Sequence, residues 1–386
     1  MKILIATDCY INNLGGITAS VLALSAGLRR SGHEVKVLSL SNVNRSFRNG
    51  DDYFIRSFPA FYYPGMRTSF AVNDPLLKEL EMWGPDVIHA QTEGGAYRLS
   101  LRIMKQSGAP LVMTGHTDYG YFVFGRFRNL PPVRALLCAV GKGLYRHAVR
   151  VIVPSDKASR FPFFHALRGR LTVIPNGMEL EKYTDRFTAG ERRAYRASLG
   201  IDDVSKVLVA VSRLSREKNI RELIACLPEL LRKEPGAKLL IVGDGPDKGR
   251  LEKLAGRLRL GNNVIFTGRV PSEDVWRCYA AGDVFVSAST FEVHSMSYLE
   301  ALAAGLPLLC RADDALIGVL AHGENGLIYH TREEFVAFAR RLLSEDGLRK
   351  DMARRSYQKA KGFSSDAFAA AVKKVYDEAI REKTGR

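Results

Sequence analysis

No apolar run in this chain reaches the ~18 residues that a bilayer-spanning helix requires, so no membrane span is expected. Met1-Lys2-Ile3-Leu4-Ile5-Ala6 sets one charge before an apolar run, but Asp8 ends it too early for a secretory signal. It reads instead as the first strand of a chain that stays in the cytoplasm. Cysteine is scarce: the five, at 9, 138, 226, 278 and 310, have no paired spacing, which argues against a disulfide framework and a zinc site. No two acids follow a strand in a metal-binding arrangement; Asp313-Asp314 comes nearest and reads as loop. Acid is in short supply, 41 Asp+Glu against 57 Lys+Arg, for a net charge of +16. It is scarcest early: residues 1–178 hold 22 basic and 11 acidic residues, and 123–170 hold ten basic residues and one acid, Asp156. With no zinc pattern, helix-turn-helix signature or aromatic ribonucleoprotein motif, nucleic acid is a poor partner. An anionic lipid surface suits the same charge.

What is present is an ordinary globular composition, 46% hydrophobic and 25% charged, long enough for two cores. Lys2 to Thr7 reads as a strand, Asn13-Leu14-Gly15-Gly16 as a tight turn, Thr18 to Arg30 as an amphipathic helix and Val35 to Ser39 as the next strand. That βαβ unit predicts a parallel, doubly wound sheet. After a boundary near Met178 to Thr184 a second series begins, with strands at Val207 to Val211, Ile241 to Gly243, Val264 to Thr267, Asp283 to Val286, Pro307 to Arg311 and Gly326 to Tyr329. The expected fold is α/β, two Rossmann-like domains facing across a cleft. The first is 1–178 plus a returning C-terminal helix 363–386, and the second is 179–362.

The chemistry concentrates in Phe291-Glu292-Val293-His294-Ser295-Met296-Ser297-Tyr298-Leu299-Glu300. A short β-branched run ending at Ser289 precedes it, and an Ala- and Leu-rich helix follows. Strand, polar turn and helix form a phosphate site when the free N–H groups at the helix start, here Ser295 and Met296, face the turn. Glu300 then lies ~7–8 Å along the axis from Ser295, so Glu292 and Glu300 can bracket a sugar diphosphate. Apolar and small neighbours around Glu300 predict a partly buried, hydrogen-bonded carboxylate. Ligands of doubly wound sheets bind beyond the carboxyl ends of the strands. Gly15, Gly16, His89 and His116 fall at such ends, with Gly16 open to close backbone approach and His116 the stronger functional candidate.

Tyr121 to Arg150 alternates Arg126, Arg128, Arg134, Lys142, Arg146 and Arg150 with Phe122, Phe124, Phe127, Leu130, Val133, Leu136, Leu137, Val140 and Leu144. Such a stretch fits either an anionic lipid interface or a core helix with a solvated basic face. The aromatic- and Arg-rich segment Asn42 to Arg67, with Phe61, Tyr62 and Tyr63, must contain strand.

Glu292 and Glu300, separated by seven residues, resemble the paired glutamates of retaining family-four glycosyltransferases, which have the two-domain GT-B fold. Val211 to Asn219, Ile241-Val242-Gly243-Asp244-Gly245-Pro246, Val264 to Val270 and Gly323 to Leu327 are similar to family segments in the same order. Val293, Ser295 and Ser212 stand where the family carries glycine. The resemblance implies that Arg213 and Lys218 bind the donor diphosphate, that Glu292 contacts the donor sugar and Glu300 the ribose, and that His116 reaches the sugar's far hydroxyls. Val270 would meet the base through its backbone, and Gly243 would line the donor. Transfer would retain configuration with no metal or other cofactor. Asp86 to Glu93, Thr114-Gly115-His116-Thr117-Asp118-Tyr119, Val151 to Lys157 and Ser297-Tyr298-Leu299-Glu300 resemble the branch that glucosylates diacylglycerol. The implied partners are a nucleotide sugar such as UDP-glucose, a lipid acceptor, and an anionic membrane at the inner face of the cell, met through the basic residues of 123–170. A soluble or polyprenyl-linked sugar acceptor, and a non-catalytic nucleotide-sugar binder, are the alternatives.

Overall fold

A computed structural model describes residues 1–10, 15–59, 67–184 and 187–385. Asn13, Leu14, Phe61, Tyr62 and Tyr63 lie outside them, as do the side chains of Phe122 and Arg126. The chain forms two compact units, one of Met1–Met178 with Ser364–Arg386 and one of Glu179–Phe363. Phe363 thus falls with the second unit, one residue from the expected division.

In the first unit the strands are β1 Lys2–Ala6, β2 Glu34–Leu40, β3 Phe47–Asn49, β4 Asp52–Ile55, β5 Phe58–Pro59, β6 Arg67–Thr68, β7 Val87–Ala90, β8 Leu111–Thr114, β9 Ala148–Val153 and β10 Leu171–Val173. Eight of them form one sheet in the order β10-β9-β8-β7-β1-β2-β4-β3, and β5 pairs with β6. Within the large sheet only β3, against β4, runs antiparallel. Central strands such as Ile3, Leu4 and Ile5 of β1 are fully buried. Helices cover both faces of a parallel sheet, so its strands read as continuous apolar runs.

The second unit contains β11 Lys206–Val211, β12 Ala237–Val242, β13 Val264–Gly268, β14 Val284–Ser287, β15 Leu308–Arg311 and β16 Gly326–Tyr329. They order as β13-β12-β11-β14-β15-β16 and pair in parallel throughout. The strand order reverses between β11 and β14, and that is the switch point beside which such sheets bind ligands.

The last helix, Ser365–Thr384, returns to the first unit and packs Phe368, Val372, Val375 and Tyr376 into its core beside Val21, Leu24 and Leu28. Ser364 caps it, accepting from the Ala367 N–H at 3.2 Å. Arg30, at the end of helix Gly16–Arg30, pairs with Asp366. The two helices approach closely at Gly27, where a Cβ would lie 2.3 Å from the Ser365 carbonyl oxygen. That contact carries a prediction. Gly27→Ala would ordinarily gain up to about 1 kcal/mol of helix propensity, but the backbone clash reverses the sign and lowers the melting temperature. Gly256→Ala, in helix Lys248–Arg257 with nothing within 4 Å of the added methyl, raises it. Thermal unfolding of the two variants separates the cases.

Candidate functional site

The second sheet sets the candidate residues at the ends of its strands. Val270 lies two residues beyond β13, Gly243 directly follows β12, Arg213 and Lys218 follow β11, and Glu292 follows β14. Backbone bonds lock the last two loops together: the Thr290 N–H donates to the Glu217 carbonyl at 2.9 Å, and the hydroxyls of Ser289 and Thr290 donate to the same oxygen. The loops therefore hold Lys218 Nζ 2.6 Å from Glu292 Oε1. Glu292 is buried and Lys218 partly exposed. Arg213 is exposed and, among the described residues, has no ion-pair partner, so one cation of this edge is committed to a carboxylate and another is open.

Helix Met296–Ala303 starts where the sequence places it. Ser295 is its N-cap, yet the Ser295 hydroxyl meets the Ser297 hydroxyl at 3.0 Å and caps no helix N–H. The Tyr298 N–H donates to the Ser295 carbonyl at 3.3 Å, and the N–H groups of Met296 and Ser297 are left for another acceptor. Beside them Ser212, Lys218, Ser287, Glu292 and Ser297 line an enclosed void of about 10 Å³, close to the room one water needs. The Ser212 hydroxyl is buried without a hydrogen-bond partner.

Glu300 is partly buried and hydrogen-bonded, but its partners are two phenols that sequence reasoning missed. Tyr279 donates to Glu300 Oε2 at 2.6 Å, and Tyr183 also bonds the carboxylate. Burial raises the Glu300 pKa and the two phenol bonds oppose that rise. Neither tyrosine has a sequence signal tying it to Glu300, since Tyr183 is 117 residues away in a turn. Gly243, expected to line the donor, is glycine for a reason internal to the sheet edge. Its φ is +133°, and a Cβ there would lie 1.9 Å from the Ser212 carbonyl oxygen.

His116 and Gly16 belong to the first unit, at the carboxyl edge of β8 and β1. His116 Nε2 lies 2.9 Å from Gln91 Oε1. Gly16 opens its helix with extended Gly15 as N-cap and no acidic residue in the first turn. His89 is a structural residue, bonded to the hydroxyls of Tyr376 and Thr114, both at 2.7 Å, and pushed down to about 3 by burial. Among the described residues no three of His, Cys, Asp or Glu converge to hold a metal ion.

His294 also escaped the sequence reading. Both its ring nitrogens are buried without partners, its ring centroid is 6.1 Å from that of Phe363, and burial pushes its pKa down to about 4. The unfolded chain protonates this imidazole near pH 6.5, the folded chain only near pH 4. Between those values the unfolded state binds more protons, so the contribution is lost as pH falls, by roughly tenfold in the unfolding equilibrium per pH unit. His294→Phe removes two unpaired polar atoms, each costing ~1–3 kcal/mol when buried. It should raise the melting temperature and flatten its decline between pH 6.5 and 4, as calorimetry across that range would read.

The family model for glycosyltransferase family 4 matches residues 14–182, and that for glycosyl transferases group 1 matches 191–359. Alpha-monoglucosyldiacylglycerol synthase of Acholeplasma laidlawii is 28% identical over 98% of this chain and 98% of its own length. The Streptococcus pneumoniae protein of the same name is 29% identical over 87% of this chain and 79% of its own. The crystal structure of Anabaena HepE in complex with UDP and glucose superposes with a TM-score of 0.76 at 20% identity, covering 98% of this chain and all of that one. That likeness shows a shared GT-B fold. With the two family models matched in chain order, the chain belongs to the family-four glycosyltransferases.

Proposed function

We propose that this glycosyltransferase moves a hexose, with glucose the first candidate, from a nucleotide diphosphate sugar to the hydroxyl of a membrane lipid such as diacylglycerol. The unit Glu179–Phe363 holds the donor and the other unit the acceptor. Arg213, Lys218 and the uncapped start of helix Met296–Ala303 meet the diphosphate. Fixed cations and backbone dipoles stabilise charge developing on a leaving group without reorganising, and the reading needs no metal. As the anomeric C–O bond to phosphate breaks, the departing phosphate oxygen takes the acceptor's proton. The new bond forms on the same face, with retention. Glu292, oriented by Lys218, contacts the sugar, and Glu300 the ribose.

One observation carries the lipid acceptor. From helix Tyr119–Phe124 through Pro131–Leu144 five apolar side chains are exposed: Val123 is 69% exposed, Phe127 52%, Leu130 50%, Leu136 52% and Val140 48%. Among the described residues of helix Pro131–Leu144 only Leu137 and Gly141 are buried, which disfavours the core-helix reading. Exposed Arg134, Lys142 and Arg146 stand among them. Apolar side chains to enter the headgroup layer, with cations worth about 1 kcal/mol each near anionic lipid, fit a protein that lies on a membrane. No helix among the described residues is long and apolar enough to cross one. The relatives' names, monoglucosyldiacylglycerol synthases, support the same acceptor, and a peripheral position on the inner face of the cell membrane follows from it.

Two measurements test the reading. The chain should sediment with vesicles containing phosphatidylglycerol and not with phosphatidylcholine alone, and Arg134→Glu with Lys142→Glu should weaken that binding at least about tenfold. Glu292→Ala should cut glucosylation of diacylglycerol by about 10³-fold while UDP binding changes little. Transfer to free sugars with none to lipid would refute the acceptor assignment.

A further inference from the structure

Both ends of the lipid-facing segment converge on one carboxylate. Tyr119, first residue of helix Tyr119–Phe124, donates its phenol hydrogen to Glu93 Oε2 at 2.6 Å. Tyr145, which caps the end of helix Pro131–Leu144, donates to Glu93 Oε1. The Leu144 carbonyl, one of the four that the helix end leaves open, accepts from the Tyr97 hydroxyl at 2.9 Å. Tyr145 is fully buried, and its ring packs edge-on against Phe163 and Phe164.

Glu93 itself stands three residues beyond β7, on the edge where open α/β sheets bind ligands. Two residues earlier Gln91 meets His116. Burying a carboxylate is costly, and burial raises the Glu93 pKa against the pull of the two phenol bonds. An apolar contact would brace two helix ends with no such penalty. What the carboxylate adds is direction: two short hydrogen bonds fix both ends of the segment against one strand end.

Building on the lipid-acceptor reading, we infer that Glu93 is a positioning residue, holding the lipid-facing segment in register with the strand end that carries His116. An acceptor hydroxyl raised from the bilayer then arrives at one place. Misplacement by about 1 Å costs on the order of 10²-fold in rate; the pin holds the helix ends, while His116 is held separately by Gln91, so the pin acts on the acceptor.

The test compares wild type, Glu93→Ala, Glu93→Gln and Tyr119→Phe on diacylglycerol in anionic vesicles, alongside donor hydrolysis, vesicle sedimentation and melting temperature. Glu93→Ala should lower kcat/KM for the lipid at least about tenfold, with donor KM, donor hydrolysis and sedimentation unchanged. Glu93→Gln should recover most of the loss, because the amide oxygen still accepts from one phenol and its N–H donates to the other. Tyr119→Phe keeps the ring and loses one bond, and its intermediate loss reads the pin even if Glu93→Ala does not fold. Wild-type lipid transfer in Glu93→Ala or Tyr119→Phe overturns the inference, as does a parallel loss of donor hydrolysis, which would mark a merely structural brace. A wild-type protein that glucosylates free sugars and never lipid overturns the acceptor reading and the inference with it.

Discussion

Lys218 and Glu292 meet because two adjacent parallel strands, β11 and β14, deliver their following loops to the same edge, and backbone bonds to the Glu217 carbonyl tie those loops together. Removing two charges from water is expensive, and a buried pair seldom repays it in stability alone. What the pair contributes here is location. A carboxylate at 8% exposure with a cation 2.6 Å away has few orientations open to it, and the helix start at Met296 follows four residues later. The remainder of the proposed donor edge, from Val270 through Gly243 to Arg213, is spaced by the strand order.

Much of this was legible in the chain because parallel sheets impose long apolar strands and put chemistry at predictable ends. The start of the helix after Glu292, the partial burial of Glu300 and the return of the C-terminal helix all follow from local patterns of that kind. Tyr183 and Tyr279 as partners of Glu300 were not legible, nor were Tyr119 and Tyr145 as partners of Glu93. Each pairing joins residues far apart in sequence, and a tyrosine in a helix or turn looks the same whether its hydroxyl meets water or a carboxylate. Gly243 shows the converse case. A glycine after a strand suggests a ligand approaching the backbone, yet the atom it makes room for is the Ser212 carbonyl oxygen.

The segment 119–145 exposes a limit of periodicity itself. An amphipathic helix declares that one face is apolar, and nothing in its spacing says whether that face meets a core or a solvent of another kind. Here Leu137 and Gly141 supply the inward contacts, and Leu136 and Val140 point away. Apolar residues remain outside while Arg134, Lys142 and Arg146 stand among them, and it is this pairing that the proposed lipid acceptor draws on.

A chain of net charge +16 has cations to spare, yet Glu93 and Glu300 are each held by a pair of phenols. The choice has an electrostatic consequence. A guanidinium or ammonium at those carboxylates would neutralise them and would itself be consumed. A phenol O–H donates to the carboxylate without adding charge, so it opposes the desolvation that raises the carboxyl pKa and commits no cation. Arg213 is exposed and without an ion-pair partner among the described residues, at the edge proposed to meet the diphosphate. Among the described residues Glu292 is paired with a cation, and Glu93 and Glu300 are not. Glu292 is also the one whose place is set by the loop that leads into helix Met296–Ala303.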